Sequence, residues 1–429
     1  MHMGKRLAAM AMWAGVTMLA ACGNSSSDGP ASLRMVNASS GYPSLDLSID
    51  AVAANTAITL GSVGSYVNAA TSGVSTVVTN TGSTAALSTA SRTLTKDVKY
   101  TLVAYGSSGA LKTALIQENV AAPAANVTSL QILNLAPDAG AVDVYLTGST
   151  DSLDNATANA SSLGSGSTLT YTSVTSGTYR LRVTGAGDKT DLRLDAQGLV
   201  LASTQVASLI IAASPGGVLV NGVLVVQQGA ATLLANDQAR VRTVAAVSGN
   251  AKVNVSVGAT SLASAVASPN IGSYTRVPGS TSAPVTVVVN NVPVAVANLA
   301  IPAGGDYTLL VWGDAANPKT SLILDDNRYP TVAGNAKIRM LNGLTGTATA
   351  LTLKADFTVV AQSVDIGQVS AYANVPASTT MRLDISSPTT AVVQTLTGVT
   401  VSAKGLYTMY VLGDATQVAL PAADFRKER

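Results

Sequence analysis

Histidine and cysteine are almost missing from this chain, with one of each in 429 residues. They are His2 and Cys22, so nothing beyond residue 22 carries either. Nucleophilic catalysis of the Ser-His-Asp or Cys-His kind needs an imidazole base, and histidine-ligated or Cys-rich zinc sites need those ligands. Both are excluded for the body of the chain, as is any internal disulfide. Charged residues make up 11% and aromatic residues 4%, and the charged share is about half the usual level. Without a basic run there is no electrostatic footprint for nucleic acid. A sustained helical period with caps is also missing. What remains is Ala, Val, Thr, Ser and Gly, arranged in short alternating runs.

The N-terminus has a different character. Lys5 and Arg6 precede an apolar stretch from Leu7 to Leu19, and Leu19-Ala20-Ala21-Cys22 follows. Positive charge, apolar core, small residues and cysteine in that order make a processing segment. The order resembles bacterial lipoproteins. The resemblance implies a signal peptide over 1–21, cleavage after Ala21, and a diacylglyceryl group and an acyl chain such as palmitate on Cys22. Several acyl chains make a stable anchor. Gly23 follows the cysteine, where Asp would resemble an inner-membrane retention signal, so the expected location is the outer membrane of the cell envelope. An ordinary secretory leader is the alternative. Losing Lys5 and Arg6 from 25 basic residues leaves 23, level with the 23 acidic ones. Residues 22–32, rich in Ser and Gly, read as a lipidated flexible tether.

A tyrosine motif recurs along the rest. Tyr372-Ala-Asn-Val-Pro-Ala-Ser-Thr-Thr-Met-Arg-Leu has counterparts at Tyr274, Tyr171 and Tyr66, spaced 98, 103 and 105 residues apart. That period is too long for a solenoid repeat and fits a whole domain. Each copy opens with a strand such as Arg34-Met-Val-Asn-Ala-Ser, Gln131-Ile-Leu-Asn, Arg242-Thr-Val-Ala or Arg339-Met-Leu-Asn. A second strand follows, and near the end another opens at Tyr100, Tyr307 or Tyr407. The second copy has Ser208-Leu-Ile-Ile there. About seven short period-two strands per copy predict an all-β chain of four tandem Ig-like antiparallel β-sandwich domains. Their expected bounds are 33–122, 129–235, 239–330 and 336–425. Linkers of about five residues keep neighbours in touch, and similar short-linked domains favour an arched or rod-like array.

The combination of Arg-x-Val-Asn-Ala-Ser, an Asp-bearing second strand and the tyrosine motif resembles the family catalogued as domain of unknown function 4397. The third copy departs at Ala245, where the Asn is expected, and the fourth at Thr352, where the Asp is expected. The resemblance implies an exported Ig-like sandwich, often in tandem and often lipid-anchored. It implies no activity and no catalytic residue.

Other candidates are weighed on their chemistry. Asp46 and Asp143 share one repeat position, which holds Asn254 and Thr352 in the later copies. A glycosidase needs two fixed carboxylates, so this drift suits an outward, solvated strand position. Asp325-Asp326-Asn327 and Asp188 with Asp191 are the only acidic clusters, and neither follows a calcium-loop pattern; turn chemistry is the simpler role. Tyr100, Tyr307 and Tyr407 are placed for tyrosine corners. Tyr66, Tyr171, Tyr274 and Tyr372 either do similar work or form a thin stacking platform for sugars. No catalytic, cofactor-binding or metal-binding residue is expected, and no enzyme. The expected role is structural or adhesive, through a protein partner at the membrane surface. The alternative is a polysaccharide or small-ligand binding module.

Overall fold

The computed structural model describes residues 30–346, 349–390, 392–414 and 422–428. Cys22, with the whole signal segment, lies outside the described residues. Every regular element described is a β-strand.

The first unit sets the pattern. Its strands are β1 (Ala31–Ala38), β2 (Ser44–Ile49), β3 (Val52–Thr59), β4 (Val67–Ala69), β5 (Val74–Asn80), β6 (Ala86–Arg92), β7 (Lys99–Ser107) and β8 (Ala110–Gln117). One sheet runs β4-β1-β7-β8 and the other β3-β2-β5-β6. Leu33, Met35, Leu45, Leu47, Val74, Val78 and Leu102 fill the space between them. The same two-sheet plan recurs three times, each with its own core. The opening strands of the later units are Val127–Leu135, Gln238–Val247 and Asn335–Thr345.

Two features differ from an all-antiparallel seven-strand plan. Short edge strands raise the strand number in every unit. In addition, β1 pairs with β7 in parallel, from Ser32 opposite Lys99 to Ala38 opposite Tyr105. Each later opening strand makes the same parallel pairing. A parallel pair needs a long crossover, here the whole opposite sheet.

The second strand carries the drifting carboxylate position, and the structure gives it a definite task. Asp46 Oδ1 accepts the backbone N–H of Ala57 at 2.6 Å, where β3 bulges against β2. Asp143 does this for Ser162, Asn254 for Ala265 and Thr352 for Ser363, at 2.7, 2.7 and 3.1 Å. All four donors have φ near +50°, a conformation that is uncommon outside glycine and is held here by a bulge. Asp, Asn and Thr share only a side-chain oxygen, and that oxygen is what the bulge requires. Solvation is not the reason for the drift: Asp143 is buried.

The rod-like arrangement is not what forms. Val36, Ala38 and Val103 point away from their own core and lie in one apolar cluster with Leu133, Leu135, Ile210 and Val223 of the second unit. Val244, Leu310 and Ile323 of the third unit likewise meet Leu341, Tyr410 and Leu412 of the fourth. The units therefore stack sheet on sheet in two pairs, first with second and third with fourth. The β1-type strands are buried on both faces, so they read as near-continuous apolar runs. Gly367, with φ of +76°, lies against the ring of Trp312, where a Cβ would collide with the indole.

Candidate functional site

Six of the seven repeat tyrosines fall into two sets with different work, and Tyr171 stands apart. Tyr100, Tyr307 and Tyr407 bond backbone five residues upstream. The Tyr100 hydroxyl accepts Thr95 N–H and the Tyr407 hydroxyl accepts Ser402 N–H, both at 2.9 Å. Residue 302 is proline and has no N–H, so the Tyr307 hydroxyl donates to the Pro302 carbonyl at 3.4 Å. This is the tyrosine-corner geometry.

The second unit closes the corner another way. Its register sets Ala207 opposite Leu130, as Tyr100 stands opposite Leu33. The missing tyrosine is therefore Ala207, and Ser208 is the counterpart of Thr101; the sequence comparison was one residue out. The amide oxygen of Gln205 accepts Ala202 N–H at 2.8 Å, in place of the tyrosine hydroxyl. Gln205→Ala should lower the urea stability of this unit by roughly 0.5–1 kcal/mol, the worth of one partly solvated hydrogen bond. An unchanged midpoint would mean that water closes this corner.

Tyr66, Tyr274 and Tyr372 form the other set, on the faces where units stack. Each ring lies under the guanidinium of its own opening strand: Arg34 at 4.5 Å, Arg242 at 4.5 Å and Arg339 at 4.6 Å. Cation–π contact of this kind is strongest when desolvated, and the three arginines are buried. A carboxylate one residue past the cross-strand partner of Tyr100, Tyr307 or Tyr407 completes each group: Glu118, Asp325 and Glu428. In the second unit Gln131 replaces the arginine and Gln227 the carboxylate. Tyr171 there bonds Ser208 Oγ at 3.3 Å, and Ser208 Oγ bonds Gln131 at 3.2 Å.

The third and fourth units exchange these charges. Arg339 donates to Asp325 at 2.6 Å, across the stacked sheets, and Arg242 donates to Glu428 in the opposite direction. Asp325 also accepts from the Tyr274 hydroxyl at 2.8 Å and the Thr308 hydroxyl at 2.6 Å. Glu428 accepts from Tyr410 at 2.7 Å. In the first pair Arg34 bonds Glu118 of its own unit at 3.0 Å and reaches across to the Val226 carbonyl at 3.0 Å. Glu118 reaches across in turn, accepting Gln228 N–H at 2.7 Å.

The electrostatics follow from burial. Desolvation pushes the Tyr274 hydroxyl well above its ordinary value, with Asp325 adding to the effect; the Tyr372 hydroxyl is pushed up to about 12 for the same first reason. Burial alone would raise the Glu428 carboxyl, but Arg242 and hydrogen bonds outweigh it and hold it below the usual range. Both tyrosines are held neutral, and Glu428 is held charged. Such a cluster locks two sheets together.

The acidic loops are engaged as well. Asp326 binds Arg328 at 2.6 Å and Lys337 at 2.9 Å. Asp191 binds Arg193 at 2.5 Å, and Asp188 caps Thr190 in a strand turn.

Residues 31–145 and 239–349 match the sequence family described as Domain of unknown function (DUF4397). The chain belongs to the DUF4397 family. Each DUF4397 match covers one Arg-bearing unit and continues into the opening strand of its stacked partner. No curated protein matches the sequence.

The sequence reading of this DUF4397 chain picked out the tyrosines and missed the partners of three of them. The signal was present. Arg34, Arg242 and Arg339 interrupt apolar strands in a chain with little charge, and a lone cation in such a strand needs a buried anion.

Proposed function

We propose that this protein is a non-catalytic lipoprotein of the cell envelope, anchored through Cys22, that serves as a rigid mount for protein contacts at the membrane surface. One observation carries the reading: the buried arginines of the third and fourth units are spent on joining sandwich to sandwich, by reciprocal Arg–carboxylate pairs over tyrosine rings. Chemistry placed at unit interfaces favours stiffness over turnover. The Leu19-Ala20-Ala21-Cys22 segment and the tether that follows it favour attachment at one end. Gly23 favours the outer membrane.

The anchor is tested directly. Cys22→Ser should move the protein from the detergent-extracted membrane fraction to the soluble periplasmic fraction. Continued partition with membranes would remove the lipid from this reading. The partner is sought with the chain from Ala31 onward on protein and glycan arrays. A protein hit that is lost when the third and fourth units are unstacked supports the mount. Turnover of an ester, peptide or glycoside that one point mutation abolishes would refute the non-catalytic reading.

A further inference from the structure

A second site lies away from the stacked faces, where the two pairs of units meet. The segment after the third unit passes the turn at Pro137 and Asp138 of the second unit, and Tyr329 N–H donates to Asp138 at 2.8 Å. The β7–β8 turn of the first unit and the turn at Lys404 of the fourth complete the walls. Together they enclose a cleft of about 690 Å³, within the range of small-ligand pockets.

The lining has a definite chemistry. Lys112, Arg328, Lys337 and Lys404 face two carboxylates, Asp138 and Asp326. Asp326 is already held by Arg328 and Lys337. Neither Lys112 nor Lys404 has an ion-pair partner among the described residues. An excess of positive charge is thus gathered here by a chain that is formally neutral after residue 21. Ser107 also lines the cleft, through atoms other than its buried hydroxyl oxygen. Half-buried Tyr329 adds an aromatic surface.

We infer that this cleft binds a short acidic oligosaccharide, with the carboxylates of its sugars on Lys112 and Lys404 and one ring against Tyr329. Lysine is a compact point charge suited to a carboxylate. Tyrosine offers an apolar face with a polar rim. The cleft is far larger than an inorganic anion needs, and it is closed on several sides, which suits a short chain over a long polyanion.

The test is calorimetric titration of the full-length protein in detergent with trigalacturonate, maltotriose and a short polyglutamate peptide. Trigalacturonate should bind, weaken as salt rises from about 0.05 to about 0.5 M, and lose about tenfold or more in affinity in the Lys112→Glu, Lys404→Glu double variant. Tyr329→Ala should weaken it separately. Both lysines are exposed, so the double variant should melt with the wild type, and coincident melting curves verify this. Absence of trigalacturonate binding, equal binding of maltotriose or polyglutamate, or an unchanged affinity in the double variant would each overturn the assignment. The anchor and mount reading stands or falls on other measurements.

Discussion

Asp325→Ala should cost the third and fourth units roughly 3–5 kcal/mol, the range for removing one partner of a buried ion pair. Asp325 is 1% exposed. Its loss strips the carboxylate from Arg339 and the acceptor from two hydroxyls, Tyr274 and Thr308. Arg242 keeps Glu428, so the damage falls first on the fourth unit's arginine. Asp325→Asn keeps an oxygen for the hydroxyls and should cost less. Trp312 is the probe: it is the only tryptophan beyond residue 21, and it packs on Gly367 across this interface. Urea unfolding followed by its fluorescence should shift to lower midpoint in the variant. A shift under about 1 kcal/mol would mean that water reaches the cluster and screens it.

The first pair supplies the comparison. The second unit holds Gln131 and Gln227 where the others hold Arg and a carboxylate, so the fold accepts this site without charge. Arg34→Gln combined with Glu118→Gln should therefore cost less than the two single changes added together, with a coupling of about 1 kcal/mol or more. Acid gives a further check on the second pair. Glu428 is held below its ordinary value. Its contribution is thus complete above the unfolded value of about 4.3, and is lost as pH falls through the lower folded value. Stability that stayed flat through that window would contradict the pairing.

Much of this architecture could be read from the residues. Period-two runs and turn residues gave strands, and the spacing of Tyr66, Tyr171, Tyr274 and Tyr372 gave the repeat. The stacking of units was harder to read. Val36 and Val103 face outward from their own core, and a strand buried on both sides carries no alternation to show which neighbour covers it. The parallel β1–β7 pairing was hidden for a related reason: strand sequence does not encode the direction of its partner. Asp46, Asp143, Asn254 and Thr352 looked like drift because chemical class was compared. The acceptor oxygen is what stays the same, and its donor sits in a bulge that the sequence does not announce. Gln205 was invisible because it occupies the place of no tyrosine; it stands two residues ahead of Ala207 and reaches the same N–H.

Tyr407 tests the other tyrosine set. Its ring is 5% exposed and stacks on Phe425 with centroids 5.0 Å apart and planes 2° from parallel. Its hydroxyl accepts Ser402 N–H at 2.9 Å. Gly405 lies against the ring, where a Cβ would collide with it, so the corner is shaped around this side chain. Tyr407→Phe keeps the ring and removes the acceptor, leaving one backbone donor unpaired, which should cost about 1 kcal/mol. Tyr407→Ala removes the ring too, and a cavity opens beside Val375, Met381 and Phe425 of the same core; the loss should reach roughly 3 kcal/mol. The two values separate packing from hydrogen bonding at one position. Equal urea midpoints for Tyr407→Phe and the wild type would mean that water replaces the hydroxyl at Ser402. Equal losses for Phe and Ala would mean that the ring contributes little, which its stacking on Phe425 and its burial in the core argue against.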